Sequence, residues 1–223
     1  MPISSLSEST QNYVKAIWSL QEWSDEPVTT SSLAARTGVK LSTASDAIRK
    51  LKDQGLVHHA PYGAVDLTDV GRALAVAMVR RHRLIETFLV EFLGYPWDEV
   101  HDEAEILEHA VSDVMVERLA TKLGNPERDP HGDPIPAADG TVVRPPAFLL
   151  STVTAGGTYR IERIADNDAE LLRFFDSHNI SYGQVITTKP PAPYSDSIEV
   201  SIAGSAPVLL GSGALCSIWV TPV

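Results

Sequence analysis

Residues 42–68, STASDAIRKLKDQGLVHHAPYGAVDLT, decide the fold of the N-terminal part. Ala44, Ala47, Ile48 and Leu51 recur at helical spacing and mark one apolar stripe, which Gly55 closes. Two short strand-like runs follow, either side of the Pro61-Tyr62-Gly63 turn, and predict a hairpin. Immediately upstream, SSLAARTG (31–38) reads as a short helix ending at Gly38. Further upstream, Ser7 to Trp23 reads as a helix with Val14, Ile17, Trp18 and Gln21 at helical spacing, broken by SDEPVTT. Helix, turn, helix, hairpin is the order of a winged helix-turn-helix.

The second helix of such a unit enters the major groove and reads base edges from its N-terminal side chains. With the apolar stripe turned inward, Ser42, Thr43, Asp46, Arg49 and Lys50 face outward. Ser and Thr bond bases or phosphates, while Arg and Lys mainly position a protein on the backbone. Asp46 can accept from a cytosine amino group but repels phosphate. Lys40, Lys52, His58 and His59 add phosphate contacts from the flanks and the wing. The competing reading is a helical hairpin used only for protein contacts.

The charge distribution favours DNA. The 223-residue chain carries a net charge of −11, which looks wrong for a nucleic-acid partner. Residues 36–83, however, hold nine Lys/Arg and four Asp/Glu, a balance of +5, so the remainder carries −16. One basic working surface is attached to an acidic body. The single cysteine, Cys216, cannot form an internal disulfide and lies in an apolar strand-like run, which predicts a buried small hydrophobe in a cytoplasmic protein. No apolar stretch is long enough to span a bilayer, and no secretory leader is recognised.

Beyond the hairpin, Asp69 to Leu93 is a long helical pattern, and WDEVHDEAEILEHAVSDVMVERLATKLG (97–124) reads as one further helix. Residues 126–146 contain six of the fifteen prolines and read as a linker. Past it come the strand-like runs GTYRIERI, QVITT, SIEVSI, PVLLG and LCSIWVT, with one helical piece, DAELLRFFDSH. The expected class is therefore mainly α with β (α+β): a winged helix-turn-helix over 1–73, a helical domain over 74–145 with the linker at 126–146, and a small SH3-like β-barrel over 147–223.

The segment VHDEAEILEHAV (100–111) carries His101, Asp102, Glu103, Glu105, Glu108 and His109, with no Lys or Arg between Leu84 and Glu117. On a helix advancing about 100° per residue, His101, Glu105, Glu108 and His109 share an arc, while Leu107, Ala110, Val111 and Val114 share another. His82 and Glu86, four apart, share a face of the preceding helix. Oxygen and imidazole donors without thiolate suit Mn²⁺, Fe²⁺, Zn²⁺ or Co²⁺. The bland alternative is a solvated acidic face with Arg80, Arg81 and Arg83 as partial counterions.

Together RRHRLIETFL, VHDEAEILEHAVSD and DPHGDPIP resemble the diphtheria-toxin-repressor family of metal-dependent transcriptional repressors, and most of all its manganese-responsive branch in the three-domain form. The resemblance covers nearly the whole chain. It implies a homodimer, a primary metal site from Glu105, Glu108, His109 and Asn12, and an ancillary site from His82, Glu86 and His101. It also implies help from the C-terminal domain, with Glu170 first choice and Asp166 or Asp168 second. Where the iron-responsive branch has cysteine and methionine, this chain has Glu105 and Asn12; the manganese branch commonly has Asp at the latter position. Arg83 matches a position that helps bind an anion in iron-responsive relatives, or else pairs with a carboxylate.

The expectation is a non-enzymatic, Mn²⁺-dependent repressor of metal-uptake genes. It binds palindromic double-stranded operator DNA as a homodimer when metal sits between the DNA-binding and dimerisation domains, without membrane or small-molecule substrate. Alternatives are an iron-dependent repressor of the same family and a ligand-governed winged-helix regulator with a structural metal. A metallohydrolase is disfavoured because no His-Glu-x-x-His occurs.

Overall fold

The computed structural model describes residue 3 and residues 6–60, 63–192 and 194–223. The chain divides into two compact units, and the division passes through one helix at His82/Arg83. No helix among the described residues is long and apolar enough to cross a membrane.

The first unit comprises residues up to His82 together with Glu108–Ala110 and Pro136–Thr141. Helix α1 (Glu8–Glu22) is started by Ser7, whose hydroxyl accepts from the Thr10 amide. Helix α2 (Thr30–Arg36) begins with a reciprocal capping box between Thr29 and Ser32. Helix α3 (Leu41–Asp53) turns Ala44, Ile48 and Leu51 inward and ends before Gly55, whose φ of 71° suits glycine. Strands β1 (Val57–His59) and β2 (Val65–Leu67) pair antiparallel in the register Val57↔Leu67. Pro61 and Tyr62, on which the turn was predicted, lie outside the described residues. Lys52, expected on phosphate, donates to the His59 carbonyl at 3.0 Å and ties α3 to the wing.

Helix α4 (Asp69–Leu93) spans the predicted limits. Thr68 anchors its start, donating to the Gly55 carbonyl at 2.8 Å while accepting from the Gly71 amide at 3.0 Å. A side chain on Gly71 would run into the Leu56 backbone, so glycine is what lets α4 lie against the base of the hairpin.

The second unit holds the rest of α4, then α5 (Val100–Leu107) and α6 (Asp113–Lys122). The single helix expected over 97–124 is thus two. Ser112 accepts from the Met115 amide at 3.2 Å, and this cap competes with helix continuation. The expected apolar arc is revised as well: Val114 is 65 % exposed, and Val100, Ala104, Val116, Leu119 and Ala120 are buried instead.

The tract 126–146 is not simply a linker. His131 to Pro136 are buried, and Ile135 packs with Leu84, Val116 and Ala120. Backbone bonds Asp129 N to Asp133 O (3.0 Å) and Ile135 N to Glu127 O (2.9 Å) fold it on itself. Asp129 Oδ1 also accepts from the amides of His131 and Asp133, both at 2.9 Å. These bonds satisfy backbone that composition alone marks as irregular.

A six-stranded antiparallel sheet completes the second unit, in the order β3-β8-β4-β5-β6-β7. Its strands are β3 (Phe148–Leu149), β4 (Gly157–Ile164), β5 (Val185–Thr188), β6 (Ile198–Ile202), β7 (Val208–Leu210) and β8 (Ile218–Pro222). Helix α7 (Ala169–Ser177) buries Leu172 and Phe175 in its core, and α8 (Ser212–Leu215) precedes β8. The short β3 and α8 were not expected. Cys216 follows α8 and is exposed, not the buried residue predicted, because the strand starts only at Ile218.

Candidate metal centre and nucleic-acid interface

On α3 the side chains of Ser42, Thr43, Asp46, Arg49 and Lys50 are exposed, as is Lys40 just before it. Arg49 pairs with Asp46 at 2.7 Å, both about 70 % exposed, so the arginine is aimed and its neighbour's acidity is balanced locally. Leu41, 56 % exposed at the helix start, adds an apolar contact that the charge-based reading overlooked.

In the first unit an acid and two imidazoles meet. Glu108 is fully buried. Lys15 Nζ donates to both of its carboxylate oxygens, at 2.6 and 2.7 Å. His82 Nδ1 lies 2.6 Å from Oε2, and His109 Nε2 lies 3.8 Å from Oε1. Gln11 uses its amide nitrogen on the carbonyls of Ile3 and Leu6, at 3.2 and 3.0 Å. Its oxygen is then left to accept from His109 Nδ1 at 2.8 Å, and that bond presents the lone pair of Nε2 towards Glu108. Asn12 Oδ1 is buried and has no hydrogen-bond donor among the described residues. Asn12 thus leaves an orphaned carbonyl oxygen on the same turn of α1 as Gln11 and Lys15, whose side chains reach His109 and Glu108, and this donor set fits a cation.

In the second unit Glu86, His101 and Asp166 each offer a ligand atom, all within 4.8 Å of one another. His101 Nδ1 sits 3.4 Å from Glu86 and 3.2 Å from Asp166. Burial works to lower the pKa of His101, but its bonds to Asp166 and Glu86 outweigh that and raise it to about 11. Glu105 lies on α5, 3.7 Å from His101 Nε2. Glu86 also groups with Asp129 and His131. Burial, reinforced by the Asp133 and Glu86 carboxylates, pushes Asp129 up to about 8. Arg83 faces Asp129 at 3.5 Å and Asp133 at 3.2 Å, which makes it a carboxylate partner here.

Of the C-terminal candidates the structure brings Asp166 to His101 and leaves Glu170 and Asp168 apart from it. Glu170 is exposed in the first turn of α7, and Asp168 caps that helix by accepting from Leu171 N at 3.0 Å. Asp166, just past β4, is the residue that reaches His101. Asp129 and His131 were not named as candidates, although both lie in the DPHGDPIP motif that carried part of the resemblance.

Three family descriptions match consecutive parts of the chain. They are the N-terminal DNA-binding domain of iron-dependent repressors at 5–65, their metal-binding and dimerisation domain at 68–137, and the FeoA domain at 148–222. A solved manganese-dependent transcriptional repressor in complex with manganese is 54 % identical, with a TM-score of 0.92, covering 96 % of this chain and 100 % of that one. The chain belongs to the iron-dependent repressor family. Among other members, the manganese regulator SloR is 32 % identical with a TM-score of 0.82, over 98 % of this chain and all of that one. The iron-dependent repressor IdeR of Mycobacterium tuberculosis is 38 % identical over 131 residues, 59 % of this chain and 56 % of its own length. The diphtheria toxin repressor of Corynebacterium diphtheriae is 35 % identical over 134 residues, 60 % of this chain and 59 % of its own. The match therefore spans little more than half of these curated family members.

Proposed function

We propose that this chain is a cytoplasmic transcriptional repressor that binds palindromic operator DNA as a homodimer with Mn²⁺ as its activating ion. The observations that carry the reading are a fully buried carboxylate at Glu108, an imidazole at His109 aimed by Gln11, and the buried, unpartnered Oδ1 of Asn12, the next residue of α1 after Gln11. Hard oxygen and imidazole donors without thiolate suit Mn²⁺. A bound divalent ion would take over from Lys15 the positive charge that the buried Glu108 carboxylate needs.

Asn12, Glu108 and His109 would hold a first ion; Glu105 joins them on the resemblance alone. Glu86 and His101, with Asp166 in place of Glu170, would hold a second, for which Asp129 and His131 are further donors. His82, which faces Glu108, is kept with the second set by resemblance. Glu108 and His109 belong with the first unit by their packing but are joined covalently to α5 and α6 of the second. Fixing them to Asn12 on α1 restrains the α3 reading head relative to the chain that flanks it. Ser42, Thr43, Asp46 and Arg49 then meet base edges and phosphates, with Lys40 and Lys50 on the backbone.

An iron-dependent repressor is the second reading, favoured by the IdeR relatives. The two are separated by selecting duplexes from a random pool with Mn²⁺-loaded protein, then titrating chelated protein with Mn²⁺, anaerobic Fe²⁺, Zn²⁺ and Co²⁺. Binding that saturates at lower Mn²⁺ than Fe²⁺ supports the first reading. The reverse order supports the second, and metal-independent binding contradicts both.

A further inference from the structure

Lys15 follows Gln11 by four residues and Asn12 by three on α1, so the three share a helix face. Its side chain is only 10 % exposed. Its ammonium group does not merely approach Glu108: Nζ donates to both oxygens, at 2.6 and 2.7 Å, and lies 3.5 Å from His82 Nδ1. A residue that only oriented the carboxylate would hold one oxygen and leave the other for a ligand. Here both are engaged by the ammonium, and Oε2 is shared with His82.

We infer that Lys15 is a built-in competitor for the metal ion at Glu108, and so sets the affinity of that site and the charge an occupant must carry. The inference rests on the metal reading proposed above. A cation seated against Glu108 and His109 Nε2 meets a like charge at close range in a buried setting, where water screens it little. Lys15 must release at least one carboxylate oxygen for Glu108 to become a ligand. Its flexible four-carbon stem permits the withdrawal. A monovalent ion carries no more charge than the ammonium it would displace, whereas a divalent one does. Lys15 thus raises the metal concentration at which the site fills and rejects monovalent cations.

The sign of one substitution decides between competitor and positioning residue. Lys15→Met keeps the length of the side chain and removes the charge; Lys15→Gln keeps a donor for Glu108. Mn²⁺ affinity is read by competition against a fluorescent chelator, with circular dichroism to verify folding. We expect both variants to bind Mn²⁺ at least about tenfold more tightly than the native chain, as removal of a nearby like charge demands. Affinity equal to or weaker than native overturns the inference and makes Lys15 a positioning residue, while leaving the metal reading intact. A native chain that binds no Mn²⁺ overturns both. A second readout needs no variant: acylation of native Lys15 by an amine-directed reagent, located by mass spectrometry, should rise on adding Mn²⁺. Labelling that Mn²⁺ leaves unchanged overturns the inference even if both variants fail to fold.

Discussion

His131 Nε2 donates to the Trp97 carbonyl oxygen at 2.8 Å, and the two rings stack with centroids 5.5 Å apart. The bond engages Nε2 and leaves Nδ1, which is buried and has no hydrogen-bond partner among the described residues, as the nitrogen open to a ligand. The neighbouring ligand atoms belong to Glu86 and Asp129. His131→Ala is expected to weaken one class of bound Mn²⁺ by about ten- to a hundredfold while leaving the class at Glu108 intact. Equilibrium dialysis with two-site fitting reads this, and unchanged binding in both classes removes His131 from the ligand set.

The backbone next to His131 is equally constrained. Gly132 has φ of 92°, and a Cβ there would collide with the Glu162 carbonyl oxygen and the Tyr182 ring. Gly132→Ala should destabilise the protein by about 2 kcal/mol or more, combining backbone strain with the collision. Chemical denaturation of chelated protein checks it; a change below about 0.5 kcal/mol contradicts the described loop.

Proton release follows from the second acid cluster. His101, with a pKa of about 11, is an imidazolium at neutral pH and must lose its proton to ligate. Asp129, pushed up to about 8, gives up a proton as well. Mn²⁺ binding is therefore expected to release protons and to tighten as pH rises from 6 to 8. Because the His101 pKa is raised on folding, its ion pairs contribute stability fully below the ordinary value of 6.5 and lose it as pH rises towards 11. Calorimetry in buffers of different ionisation enthalpy reads the released protons. An enthalpy independent of buffer would contradict the described protonation states.

On the reading helix, Arg49→Ala removes an exposed cation whose pair with Asp46 is worth little to folding. Stability should change by less than about 0.5 kcal/mol. The salt dependence of operator binding should fall by about one unit of log–log slope if Arg49 meets phosphate. Fluorescence anisotropy at several salt concentrations gives the slope; an unchanged slope and affinity exclude Arg49 from the interface.

Much of this was legible because it is local. The periodicity of α4 and the Ser7 cap of α1 are written within a few residues, and both helices lie where the pattern places them. The polar face of α3 follows from the same stripe. What was not legible depends on competition or distance. A wheel drawn through 97–124 cannot register that Ser112 caps a new helix. Proline content in 126–146 suggested a linker because the bonds that bury it run from Asp129 to amides and from Arg83 on α4. Asp166 and Glu170 are both acids of one turn. Only the end of β4 determines which meets His101, 65 residues earlier in the chain. The acids and imidazoles of 100–109 are plain in the sequence; that Lys15 and His82 face Glu108 is not, since a lysine four residues after Gln11 looks like any solvated helix charge.

The most direct measurement is anomalous diffraction at the manganese edge from crystals of the native chain grown with Mn²⁺. The account predicts a peak within coordination distance of Glu108, His109 and Asn12 Oδ1, with Lys15 withdrawn from at least one Glu108 oxygen. Clear density for those side chains with Lys15 still bridging both oxygens, and no manganese peak beside them, would contradict it.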